Sequence, residues 1–265
     1  MRPVLRIFRV PASTETHFDK GEFMLTKFTE SFYNNFIADD NWKYLTSGLA
    51  NTLLITVVAV AIGIVLGFLI AVIRTAYDNR KADPNARKNF GSVMLAIGNA
   101  ICKIYLAVIR GTPVALQLLI IYFGIFASVD ISKMFVAFIA FGVNSGAYVA
   151  EIFRSGIMSI DRGQMEAGRS VGLNYVQTMT SIIMPQAFKN VLPALLNEFI
   201  ALLKETSIAG YIALNDLTRG AYIIRSNTFS GFMPLAGAAV IYLVIVLLMS
   251  KLTGLLERRL RSSDH

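Results

Sequence analysis

One cysteine, Cys102, and two histidines, His17 and His265, are all that the 265 residues offer a soft metal or a redox couple. A single cysteine excludes an internal disulfide and any multi-cysteine metal site. Both histidines lie outside the apolar stretches, which argues against a histidine-based metal or proton site within them. Charge is scarce as well, at 16% of residues, where an ordinary soluble domain carries roughly 25%. No G-x-x-x-x-G-K-[ST] run is present, so nothing here cradles ATP phosphates in the P-loop manner. G-x-S-x-G, H-E-x-x-H and paired-carboxylate signatures are missing too, and with them the usual marks of an enzyme. There is no internal repeat and no low-complexity tract. Met1–Lys20 carries Arg2, Arg6 and Arg9 but no long apolar region, and is not read as a cleavable signal peptide.

What the chain has in excess is apolar sequence, 55% of residues, in uninterrupted stretches that alternate with short basic clusters. A soluble core cannot hide several such stretches, whereas a bilayer demands them: about 20 apolar residues span about 30 Å of hydrocarbon. The net charge of +8 does not form a separate patch of the kind nucleic acid would need. It sits beside the apolar segments, which fits positive-inside topology and anionic lipid headgroups. The fold class expected is therefore an all-α integral membrane helical bundle.

The clearest span runs from about Leu49 to Ile73. A loop with Arg74, Arg80, Lys81, Arg87 and Lys88 against Asp78 and Asp83 follows, and by the positive-inside rule it is cytoplasmic. Three apolar stretches come next: Val93–Ile109, Pro113–Ala127 and Met134–Ala150. A second basic stretch covers Arg154 to Lys189, after which Val191–Leu203 and Pro234–Ser250 complete the set. If both basic stretches are cytoplasmic, the chain between them crosses an even number of times. Val93–Ile109, interrupted by Lys103, is read as an interfacial or oblique helix in the cytoplasmic leaflet, leading into Pro113–Ala127. The expectation is about five transmembrane helices, N-terminus outside and C-terminus cytoplasmic. Thr206–Met233 is then external, in spite of Arg219 and Arg225. By segment, residues 1–45 are polar or interfacial, with Trp42 and Tyr44 as aromatic anchors; 46–256 form the membrane domain; 257–265 are a basic tail.

Gly156–Gln186 is too polar to cross a membrane and too long for a tight helix connection. It reads as a short helix from Gln164 to about Val171, ended by Gly172, then a second helix over Asn174–Ile183, with Pro185 at the entry to the next span. On spacing alone it is equally an ordinary amphipathic loop or a knob, bearing Glu166 and Arg169, that fits a groove on a soluble partner.

The run Glu166-Ala167-Gly168, three residues, Gly172, then Ile183-Met184-Pro185 resembles the EAA loop of ABC importer permeases. Gly168 stands where that family usually has Ala, and Met184 where it has Leu; the first change loosens the short helix by up to about 1 kcal/mol. The resemblance extends to the polar amino-acid branch through Arg110-Gly111-Thr112-Pro113 with Gln117 and Tyr122-Phe123-Gly124. Tyr148 to Arg154, Asn197 to Ile200 and Leu203 to Ser207 carry it further, over roughly Gly48 to Met249. It implies a permease subunit of a bacterial inner-membrane amino-acid importer. In that family two permease chains, identical or related, pair, cytosolic ATPase subunits bind ATP and Mg, and an extracytoplasmic amino-acid-binding protein delivers substrate. This chain itself would hold no cofactor and hydrolyse nothing. Glu166, Ala167, Gly168, Arg169 and Gly172 (within the loop at about 156–186) would be the ATPase-coupling residues.

Polar residues at membrane depth are candidates for a pathway. Asn144, Tyr148 and Glu151 fall on one helical stripe, Asn197 and Lys204 on another, and Glu198 and Glu205 beside them. Lys204 suits a carboxylate, and Glu198 or Glu205 an ammonium; equally, these charges form structural pairs between helices. Gly63 and Gly67 permit close helix approach. A second class, an autonomous secondary transporter or channel, would usually show inverted repeats.

Overall fold

In the computed structural model, residues 20–82 and 89–262 are described, and all their regular structure is helical. Readings that rest on Arg2, Arg6, Arg9, His17, Asp83, Arg87, Lys88 and His265 fall outside them. α1 (Lys20–Phe32) leads through a π-helical turn, Tyr33–Ile37, to α2 (Trp42–Ala82). α2 has 41 residues, about 60 Å at 1.5 Å per residue, twice the depth of a hydrocarbon core. Its last turns, with Arg80 and Lys81, therefore stand clear of the membrane.

Four helices are long and apolar enough to cross a bilayer: Trp42–Lys81, Phe90–Gly111, Lys133–Met158 and Met233–Leu260. They correspond to α2, α3 (Phe90–Gly111), α5 (Lys133–Met158) and α10 (Met233–Ser262). α8 (Met184–Glu205) has 22 residues, enough to cross at about 33 Å. Its Lys189, Glu198, Lys204 and Glu205 leave it less apolar than the others.

The sequence reading of Val93–Ile109 as an interfacial or oblique helix in the cytoplasmic leaflet holds in its lead into the next segment but needs correction in its depth, since α3 is by itself long and apolar enough to cross. α3 runs antiparallel to α5: Gly98 faces Ile73 of α2, Leu106 packs on Ala147 and Ala150, and Tyr105 donates to the Val143 carbonyl. After Thr112 and Pro113 the chain continues in the same direction as α4 (Val114–Ile120) and a π-helical turn, Ile121–Ile125. Leu118 of α4 then packs among Ala137, Ala140 and Phe141, further back along α5. α3 and α4 are thus two legs of one broken crossing, so the two apolar stretches count once. Lys103 misled the sequence reading because a cation was weighed against the whole segment. The exposed apolar stripe is Val93, Ile97, Ile101, Ile104 and Val108, and Lys103 lies off it, on the side of Arg110.

α2 and α5 run parallel and pack tightly. A Cβ on Gly63 would lie 2.7 Å from Ser145 Oγ, and one on Gly67 2.6 Å from Val149 Cγ1, so the Gly-x-x-x-Gly reading holds as a close-packing device. The core between them gathers Ile55, Ala59, Leu118, Phe141, Leu202 and Ile212, all buried. After α8 comes a 3-10 turn, Thr206–Ile212, and then α9 (Leu217–Thr228), seated on the start of α2. Asn51 donates to the Asn215 carbonyl at 2.7 Å, and Leu217 N–H to Thr52 Oγ1 at 3.1 Å. The arginines that sat awkwardly in this connection find local partners: Arg219 Nη1 donates to the Gly210 carbonyl at 3.1 Å, and Arg225 lies over Tyr222. Asp216 caps α9 by accepting from Thr218 and Arg219 N–H groups. Burial pushes its carboxyl up from the usual range, and those N–H bonds pull against the shift.

Candidate functional site

The loop between α5 and α8 contains two short helices. α6 (Arg162–Ser170) starts at Asp161, whose carboxylate accepts from Gly163 N–H at 2.6 Å. It ends in a paired closure: Leu173 N–H to the Gly168 carbonyl and Gly172 N–H to that of Arg169. The closure needs a left-handed residue, and Gly172 supplies it at φ +89°. Asn174 and Gln177 then cap α7 (Tyr175–Thr178) reciprocally.

α7 does not stop at the membrane. A π-helical turn, Met179–Ile183, carries it directly into α8. Pro185 lacks an N–H and its ring would crowd the carbonyl four residues back; a widened turn just before it removes that conflict. The second half of the loop is therefore one rod with a membrane crossing. The loop and the end of α5 that leads into it are tied to their neighbours in three places. Asn79 at the end of α2 donates to the Tyr175 hydroxyl, Arg154 pairs with Asp78 at 3.5 Å, and Asn190 donates to Ser159 Oγ at 2.8 Å. Burial pushes the Tyr175 phenol up, with the Asn79 hydrogen bond opposing, so it stays neutral near pH 7.

Of the predicted loop residues, Glu166, Ala167, Arg169 and Gly172 are exposed, Glu166 on the rim of an open cavity of about 460 Å³ that it shares with Asp78, Asn79 and Arg154, while Gly168 is buried. A Cβ at Gly168 would lie 2.5 Å from Thr178 Cγ2 and 3.1 Å from Ile182 Cδ1. Glycine at this place lets α6 lie directly on α7. The reading that it only loosens α6 missed this contact, which no local sequence signal announces.

The predicted pathway residues separate into two groups. Asn144, Tyr148 and Glu151 do form one stripe of α5, and it faces the broken crossing. Asn144 Nδ2 donates to Gln117 Oε1 at 2.9 Å, and Gln117 Nε2 donates to the carbonyls of Ile109 and Thr112 at 2.7 and 3.0 Å. Those carbonyls lose their helical partners at the Gly111–Pro113 break, and in hydrocarbon an unpaired one costs several kcal/mol; Gln117 restores the pairing. Glu151 takes Arg74 Nη1 at 2.6 Å, with Arg110 and Arg154 each at 3.9 Å. Arg110 also lies over the Tyr148 ring, 5.7 Å from its centroid.

The second group sits on α8. Glu198 turns inward and accepts from Ser145 Oγ at 2.9 Å, across the α5–α8 contact. Asn197 and Lys204 are exposed on the opposite side, and Glu205 is half-buried. Two open cavities lie along the α8–α10 seam on that side. One of about 340 Å³ includes Asn190, Asn197 and Glu257, and one of about 400 Å³ includes Lys204, Ser207, Thr218 and Tyr242. Sequence reasoning named neither Arg74 nor Ser145 as a partner, since each lies tens of residues from the group it binds. Among the described residues no cluster of three or more His, Cys, Asp or Glu side chains is placed to hold a metal.

A two-helix loop built onto a rod-like helix, in an all-helical bundle with four helices long and apolar enough to cross a membrane, is the architecture of an integral membrane protein with a protruding loop. The chain belongs to the family described as binding-protein-dependent transport system inner membrane component, which it matches over residues 91–262. It is 38% identical over 223 residues to the arginine transport system permease protein ArtQ of Bacillus subtilis, covering 83% of this chain and 94% of that one. It is 34% identical over 220 residues to the glutamine transport system permease protein GlnP of Escherichia coli, covering 82% and 93%. A crystal structure of an amino acid ABC transporter with histidines superposes with a TM-score of 0.72 at 39% identity, over 89% of this chain and 97% of that one. The inward-facing MetNI methionine ABC transporter shares the fold, with a TM-score of 0.67 at 17% identity over 84% and 99%. The chain is a permease subunit of an ATP-driven uptake system.

Proposed function

We propose that this permease carries an amino acid across a bacterial inner membrane, with its N-terminus outside and its C-terminus in the cytoplasm. The observation that carries the reading is the exposed Glu166-Ala167-Arg169 surface, held on α6 against a rod that is itself a crossing. A cytosolic ATPase subunit receives that surface, Glu166 making the polar contacts and Gly172 fixing the turn. ATP and magnesium bind on the ATPase, and this chain holds no cofactor and catalyses no hydrolysis. An extracytoplasmic binding protein supplies the substrate. That the ligand is an amino acid is supported by the arginine and glutamine permeases to which the chain is similar.

A second permease chain, identical or related, covers the exposed polar face of α8. Polar and charged side chains facing lipid are costly, so the exposed Asn197 and Lys204 are better accommodated at a wet subunit boundary. There Lys204 offers a cation to the substrate carboxylate, and Glu205 an anion to its ammonium.

The test is Glu166→Lys in the assembled transporter. Co-purified ATPase is expected to fall at least tenfold with the membrane bundle intact. Full retention of the ATPase together with undiminished substrate uptake would refute the docking role.

A further inference from the structure

The charge cluster around Glu151, a residue first read as a pathway candidate, has no part in the α8 cavities or in the exposed loop surface. It is built on three elements: Arg74 on α2, Arg110 at the last turn of α3, and Glu151 with Arg154 on α5, with Asp78 of α2 completing it. Arg74 and Glu151 are largely buried, at 15% and 31% side-chain exposure, and their 2.6 Å contact is the tightest of the set. Arg110 is more open, at 45%, and reaches the same Glu151 Oε1 at 3.9 Å. Its backbone lies immediately before the Gly111–Pro113 break, whose freed carbonyls are held by Gln117 and, through it, by Asn144. The break is therefore pinned to α5 at two places on one stripe, through its backbone at Asn144 and through its charge at Glu151. Arg154 and Asp78 lie three and four residues beyond, on the segments of α5 and α2 that hold the loop.

We propose that Glu151 is a positioning residue for transport: through Arg110 it fastens the broken crossing to the α2 and α5 ends that carry the coupling loop, so that loop displacement reaches the break. This inference rests on the docking role proposed above. A carboxylate suits the task because it attracts three guanidinium groups at once, and Arg110, held loosely, exchanges its place over the Tyr148 ring for a closer approach to Glu151 without breaking the Arg74 pair. Three cations against two carboxylates leave the cluster with one excess positive charge, so it holds no spare carboxylate to replace Glu151.

The experiment uses the whole transporter, with ATPase and binding protein, in proteoliposomes. Cys102 is the only cysteine and is buried, and a side chain at Gly111 would meet nothing within 4 Å. Gly111→Cys is therefore a clean reporter of the break for a membrane-impermeant thiol reagent. Its labelling rate is expected to change at least threefold when ATP is supplied. Adding Arg110→Gln, which leaves the buried Arg74–Glu151 pair intact, should abolish that change and lower substrate moved per ATP hydrolysed at least fivefold, with the ATPase still bound. Glu151→Gln should do the same, and the two together no more than either alone. If labelling still responds to ATP and the uptake-to-hydrolysis ratio is unchanged in Arg110→Gln, the inference is overturned while the docking role stands. If the ATPase does not bind the chain with all these groups intact, the docking role fails and takes this inference with it.

Discussion

Replacing Gly168 by alanine separates two forces that act on the same helix. In a free helix the change is favourable by about 0.8–1 kcal/mol, because glycine loses more backbone entropy on ordering. Here the added Cβ meets Thr178 Cγ2 at 2.5 Å and Thr178 Oγ1 at 3.0 Å, and Thr178 is itself fully buried with its hydroxyl donating to the Asn174 carbonyl at 3.0 Å. Overpacking of this kind costs about 1–3 kcal/mol. The balance is a net loss of roughly 1 kcal/mol, a factor of about five in local opening, read as amide hydrogen exchange across residues 163–172 in the detergent-solubilised chain. Thr178→Ser removes the clashing methyl and keeps the hydroxyl. In that background only the contacts at 3.0 Å to the hydroxyl oxygen and 3.1 Å to Ile182 Cδ1 remain, so Gly168→Ala should become mildly stabilising and raise protection over Thr178→Ser alone; its effect changes sign between the two backgrounds. Greater protection in the Gly168→Ala single variant would refute the reasoning, since it would mean that α6 does not lie on α7 as described.

Gln117→Leu leaves two carbonyls at the break and the Asn144 amide without partners, and should destabilise the bundle by about 2–4 kcal/mol, seen as a lower Tm in thermal unfolding of the purified chain. Gly67→Leu drives a side chain into the Val149 side chain and the Ala150 backbone; a backbone neighbour cannot rotate away, so about 3 kcal/mol or more is lost, and the monodisperse folded fraction after size-exclusion chromatography should collapse. Asp216→Ala removes the cap of α9 and should cost about 1–2 kcal/mol, with faster proteolysis confined to residues 206–232 while the loop at 156–186 is cut at its former rate.

How much of this was readable from residues alone depends on whether the signal was local. The long apolar runs, the two loop helices and the Gly172 turn are properties of short windows, and each was legible. The broken crossing was half legible. Parity required that Val93–Ile109 and Pro113–Ala127 together cross once, and the Gly-Thr-Pro interruption marked the joint. What failed was the use of Lys103 as evidence of shallowness. A single cation on a 22-residue helix constrains one face of it, and the other faces were free to run the depth of the bundle.

The polar stripes show the same limit from another side. Periodicity correctly placed Asn144, Tyr148 and Glu151 on one line of α5, but a line on a helix does not say which neighbour it faces. In a membrane bundle that is the decisive fact, because the same carboxylate serves a substrate if it faces water and a structural strut if it faces three arginines. Glu151 proves to face Arg74, Arg110 and Arg154, while Glu198, assigned to a similar role by similar spacing, turns from the open side of α8 toward Ser145. Of the charges read as pathway candidates, only Lys204 is exposed, lining a cavity with three hydroxyl-bearing side chains beside it. Its ammonium has no carboxylate of its own chain within ion-pair distance among the described residues, and burying it without one is costly. Whatever completes that face must bring negative charge or water with it, and a purely apolar neighbour cannot.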